Sequence, residues 1–96
     1  MADKLYPTIE SLEAVHTFPC WFTIKAIGAN TEAFVGAVKD AVSIVTLDPT
    51  RLKTRERTSS TGKHISMTLE VFVNDASQVQ QLYAQIKEID ALHYIL

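Results

Sequence analysis

Ile65-Ser66-Met67-Thr68-Leu69-Glu70-Val71-Phe72-Val73, followed by Asn74-Asp75 and then Val79, Leu82, Tyr83, Ile86 and Ile89, decides the fold of this chain. Over Ile65–Val73 the apolar residues fall at every second position, with Ser66, Thr68 and Glu70 between them. That period is a strand with one buried face. After Asn74-Asp75 the apolar spacing becomes three and four, the period of a helix with one apolar stripe. Asp75 is a suitable N-cap, and Gln78 stands three residues on, as in a capping box. Ala91-Leu92-His93-Tyr94-Ile95-Leu96 is a last strand. The second half therefore reads strand, helix, strand.

The first half repeats that logic. Phe18 to Ile27 is a strand, with Phe22, Ile24 and Ala26 on one side and Trp21, Thr23, Lys25 and Ile27 on the other. Gly28-Ala29-Asn30 reads as a turn, and Asn30 or Thr31 caps a helix whose apolar stripe is Phe34, Val38, Ala41, Val42 and Val45. Asp48-Pro49 stops that helix, because the residue before proline avoids helical geometry. Arg51 to Thr58 is a second strand in which Arg51, Lys53, Arg55 and Arg57 alternate with Leu52, Thr54, Glu56 and Thr58. A strand with so much charge and so little to bury belongs at a sheet edge. Ser59-Ser60-Thr61-Gly62 is the hairpin loop into the third strand. Residues 1–17 form a lead-in arm, in which Thr8 caps a short helix carrying Ile9, Leu12 and Val15, or which runs irregularly. Residues 18–96 form one domain.

The order β-α-β-β-α-β predicts an α+β, ferredoxin-like sandwich: four antiparallel strands with two helices on one face. The first and third strands are expected in the centre, with the cationic strand and the C-terminal strand at the edges. The other sheet face is then bare. It carries Trp21, Thr23, Lys25, Ser66, Thr68 and Phe72, an arrangement suited to association.

Bulk properties narrow the function. Ninety-six residues with 47% hydrophobic and 21% charged content make one ordinary globular domain. A net charge of −2 argues against a generally basic nucleic-acid binder but allows a local basic patch. The single cysteine, Cys20, forbids an intrachain disulfide and suits a reducing compartment. Met1–Pro7 lacks the apolar core of a signal peptide, and no apolar run approaches membrane-spanning length. A cytoplasmic location without membrane contact is expected.

Several of these residues resemble a known family. Phe18-Pro19, Phe22, Lys25 and Gly28 resemble an FPxxFxxKxxG pattern. Ser60, Gly62, Ser66 and Thr68 resemble an SxGxxxSxT hairpin, and Gln78, Leu82 and Tyr83 resemble a QxxxLY helix. These are features of the YbeD-like proteins, also called the lipoate regulatory protein family, small bacterial proteins mostly without an assigned function. The resemblance spans roughly residues 18–96. The chain departs from it in a longer N-terminal arm and in His64, where a tyrosine is common. The resemblance implies a fold similar to the ACT regulatory domain, whose copies pair side by side or back to back and hold small effectors at the interface. It also implies a homodimer or a protein partner, a small-molecule effector, and an association with lipoate metabolism.

Each candidate site has a plainer reading beside it. Gly28, Ala29, Asn30 and Thr31 form a ligand-binding candidate, where backbone amides at a helix N-terminus approach an anion. The plainer reading is a glycine needed only for a tight turn. Cys20 with His16, His64 or His93 has no metal-ligand spacing, and a small half-buried thiol with solvated histidines suffices. The carboxylates are scattered, and Gly28–Thr31 lacks the arginine with which acylphosphatases of this fold hold phosphate. No catalytic residue, metal site or cofactor fingerprint is found, and the chain is read as a non-enzyme. Arg51, Lys53, Arg55 and Arg57, beside Lys25, Trp21 and Phe72, form the candidate interaction surface. They permit an RNA-binding alternative, although Gly62–Leu69 lacks the basic-Gly-aromatic run of an RNA-recognition sheet. A solvated edge strand is the plainer reading, and an acidic partner or anionic metabolite at that edge is a third.

Overall fold

The computed structural model describes residues 7–96. Part of the expected N-terminal arm, residues 1–6, lies outside the described residues. The elements run α1 (Ile9–Val15), β1 (Cys20–Ala29), α2 (Glu32–Val45), a 3-10 turn (Pro49–Arg51), β2 (Leu52–Thr58), β3 (His64–Val73), α3 (Ala76–Lys87) and β4 (Leu92–Ile95). The sheet order is β2-β3-β1-β4, with every neighbouring pair antiparallel. The ferredoxin-like arrangement and the central placement of β1 and β3 are as the sequence predicts.

One face of β1 and β3 supplies Phe22, Ile24, Ala26, Ile65, Met67, Leu69, Val71 and Val73 to the core. These meet Phe34, Val38, Ala41 and Val42 from α2, and Ala76, Val79, Leu82, Tyr83 and Ile86 from α3. Such interlocked burial is the main term holding a domain of this size together. The helices start on side-chain caps that satisfy otherwise unpaired amides. Thr31 accepts from the Phe34 N–H, and Asp75 from the Gln78 N–H. Gln78 accepts from the amide of Asn74 at 2.6 Å, one residue earlier than a standard capping box would place it.

Four sequence-based expectations change. The N-terminal segment is a helix, with Thr8 and Ser11 forming a reciprocal cap, but it buries Leu12 alone. Val15 is 77% exposed and Ile9 40%, because seven residues give room for one inward side chain. β1 starts at Cys20 and runs on through Gly28 and Ala29, which pair with Ile65 and His64, so the turn shrinks to Asn30-Thr31. Arg51 precedes β2. It ends the 3-10 turn that Asp48 caps, with Pro49 at its first position, where a missing N–H costs nothing. The last strand is the four-residue β4, one residue shorter at each end, although the backbone of Leu96 still exchanges hydrogen bonds with Lys25.

Candidate functional site

Side chains of β1 and β3 that do not enter the core point to the helix-free face. Sheet register sets them in cross-strand rows: Trp21 beside Phe72; Thr23, Glu70 and Lys53; Lys25, Thr68 and Arg55; Ile27, Ser66 and Arg57. Tyr94 continues the last row on β4. Five of the chain's nine lysines and arginines reach this face, namely Lys25, Arg51, Lys53, Arg55 and Arg57. Among the described residues the one acidic side chain in these rows is Glu70. The chain as a whole is acidic, so its charge is sorted by face.

The face has two parts. At one end Trp21 and Phe72 meet edge to face, with centroids 5.5 Å apart. The Lys53 ammonium lies 4.7 Å from the Trp21 ring centroid, and the Arg51 guanidinium 5.1 Å from that of Phe72. Such contacts contribute roughly 0.5–1 kcal/mol each where solvent reaches them. Arg51 is also held by the side chain of Asn74 at 3.0 Å and by Asp48 at 4.0 Å. The Thr50 hydroxyl and amide both donate to Asp48, and with Arg51 nearby they hold its carboxyl below the ordinary range. In the middle, Lys25, Arg55 and Arg57 form no ion pair among the described residues. Ser66 and Thr68 lie between them as the short side chains of the rows. An open depression of about 390 Å³ is bounded by these residues and Glu56. Glu56 belongs to the opposite side of β2, and its carboxylate pairs with Lys39 of α2 at 3.4 Å.

The residues Gly28–Thr31 are brought together at the β1–α2 junction, but their amides are engaged inside the chain. The Ala29 N–H donates to Ala91 O, Asn30 to Lys63 O, and Thr31 to Ala29 O. Gly28 is buried, and a Cβ there would lie 2.5 Å from both the Ala91 oxygen and the Phe34 ring. Its lack of a side chain is used by packing.

Cys20 and the histidines are not brought together. His16 lies against Phe18 and Phe22, near the Cys20 end of the sheet. His64 and His93 meet at the Ala29 end, centroids 5.1 Å apart, about 30 Å from Cys20 at ~3.3 Å per strand residue. The meeting of His64 and His93 had no sequence signal, because strand pairing alone makes it. Among the described residues no group of three or more potential ligands is placed to hold a metal, and no helix is long and apolar enough to cross a membrane.

Comparison with known proteins supports the fold and places the chain in a family. The family described as "Protein of unknown function (DUF493)" matches residues 13–96. The UPF0250 protein PM1928 of Pasteurella multocida is 29% identical over 79 residues, 82% of this chain and 88% of its own length. A UPF0250 protein of Vesicomyosocius okutanii is 26% identical, with 88% and 91% covered. The solution structure of HP0495 from H. pylori aligns with a TM-score of 0.72 over 100% of this chain and 93% of its own, at 20% identity, a likeness of fold. The chain therefore belongs to the DUF493 family, the YbeD-like group of small bacterial proteins that the strand, hairpin and helix patterns resemble.

Proposed function

We propose that the protein is a non-enzymatic binding module of ACT-like regulatory type that docks an acidic protein partner on its open sheet face. The observation that carries this reading is the sorting of charge, with five cations gathered on one face of an acidic chain. Such a face attracts an acidic partner and repels a second copy of itself. RNA is less well served, because the ring faces of Trp21 and Phe72, on which bases would stack, already carry Lys53 and Arg51. The lipoate association implied by the family resemblance names the pathway in which such a partner would be sought.

Trp21 is the chain's single tryptophan and lies on the face itself, so its fluorescence reports occupancy directly. The test titrates an acidic peptide of alternating glutamates, and separately a single-stranded RNA of equal charge, at low and at physiological salt. The expected result is a saturable change in Trp21 emission with the peptide that disappears in the Lys53→Glu, Arg55→Glu, Arg57→Glu variant. Saturation by RNA without response to the peptide, or peptide binding untouched by the charge reversal, would overturn the reading.

A further inference from the structure

The middle of the open face has the construction of an anion cup. Arg55, Thr68 and Lys25 occupy one row across three adjacent strands, and Arg57 and Ser66 lie in the next. Neighbouring strands are about 4.8 Å apart, so the Arg55 and Lys25 backbones flank Thr68 from opposite sides at roughly 10 Å. Short hydroxyl side chains form the floor and long cations form the walls. Neither the Ser66 nor the Thr68 hydroxyl has a side-chain hydrogen-bond partner among the described residues, and no carboxylate neutralises Lys25, Arg55 or Arg57. Glu56, at the rim, is committed to Lys39 on the other side of β2, and Glu70 stands one row away, across from Lys53.

We propose that this cup binds the phosphate group of a small phosphorylated molecule, which competes with the acidic partner for the same cations; the competition rests on the docking reading above. A phosphate monoester carries close to two negative charges and three acceptor oxygens. Two guanidiniums, one ammonium and two hydroxyls can serve all three oxygens, with the arginines donating in pairs. A carboxylate offers two oxygens and one charge and leaves donors unused. The depression, about 390 Å³, exceeds a phosphate and falls within the range of small-molecule sites, so the organic part of the ligand has room above the cup.

The test maps backbone amide shifts of the whole chain by two-dimensional NMR during titration with inorganic phosphate, glycerol phosphate and glutarate. Saturable shifts confined to residues 25, 55–57 and 66–68 are expected for both phosphates, with glutarate about tenfold weaker. Arg55→Gln with Arg57→Gln should abolish them. These positions are exposed, so the variant's spectrum should otherwise match. Non-saturating shifts, or equal shifts around Lys39, Lys63 and Lys87, overturn the cup. The acidic peptide is titrated into the same samples. Peptide binding without phosphate binding sinks the cup alone, and phosphate binding without displacement of bound peptide sinks the competition. Failure of both ligands sinks the cup and the docking reading together.

Discussion

Gly28→Ala should destabilise the protein by about 3 kcal/mol, as the sum of three terms. The new methyl would stand 2.5 Å from the Ala91 carbonyl oxygen and 2.5 Å from two atoms of the Phe34 ring, well inside ordinary contact. Phe34 is 1% exposed and has no free direction in which to move. Overpacking of this kind costs about 1–3 kcal/mol, and contact on two sides argues for the upper end. Moving the Ala91 carbonyl also strains its 3.1 Å hydrogen bond from the Ala29 amide, a loss of about 1 kcal/mol. Against these, alanine in a strand is better than glycine by roughly 0.5–1 kcal/mol, and Gly28 has no positive φ that alanine would resist. For a domain of this size the net loss lowers the melting temperature by roughly 12–24 °C. Urea unfolding with an unchanged m-value is the assay. Phe34→Leu in the same background should relieve part of the clash, so the double variant should be more stable than the two losses added. A Gly28→Ala protein as stable as wild type would refute the packing account. If its ligand affinity also fell, the glycine would belong to a binding site.

Asp75→Ala should cost about 1 kcal/mol, because the Gln78 amide loses its acceptor at the start of α3, whose buried side chains anchor that helix to the sheet; denaturant unfolding measures it. Burial raises the Tyr83 phenol above its ordinary pKa, so the folded state holds that proton more tightly than the unfolded chain. The corresponding stability is fully present below pH about 10 and is lost as pH rises through the folded value. Tyr83→Phe should flatten the alkaline part of the stability profile relative to wild type, and parallel profiles for the two proteins would count against the assignment.

What the sequence discloses and what it hides divide along a physical line. β3 alternates so strictly that its buried face, Ile65 to Val73, is legible at once and is found as read. Thr8, Thr31 and Asp75 are legible as caps because capping chemistry acts over three residues. The alternating charges draw Arg51 into β2, although Asp48-Pro49-Thr50 carries the signal of the turn that holds it. An Asp whose oxygen can accept from the amide two residues on, followed by proline, starts a turn as readily as it stops a helix. Gly28 reads as part of a turn but lies in β1, because a lone glycine in a strand pattern marks either a bend or a close approach. The atoms that approach it belong to Phe34 and to Ala91, and only the folded chain joins them. For the candidate site, alternation tells which residues share a face. That Arg55 and Lys25 flank Thr68, and that His64 meets His93, depends on the register between strands, which composition does not encode.

The cations of β2 also restrict the ways in which two copies of the chain could meet. β2 is an edge strand with an unpaired outer side. Antiparallel pairing through it would set Lys53, Arg55 and Arg57 against their own copies, and like charges placed opposite one another destabilise a sheet. Stacking the open faces brings the same cations together with Glu70 alone to offset them. The other edge differs. β4 is short; Tyr94 within it and Leu96 just after it are 67% and 68% exposed, with no lysine or arginine from Leu92 to Leu96. Any edge-to-edge pairing of copies would therefore favour β4, which presents Tyr94. Antiparallel pairing there would extend one continuous sheet with both helix-free faces on the same side. A dimer built that way would leave Arg55 and its neighbours open and double the cationic surface offered to one acidic partner, so self-association through β4 would strengthen the proposed docking through avidity.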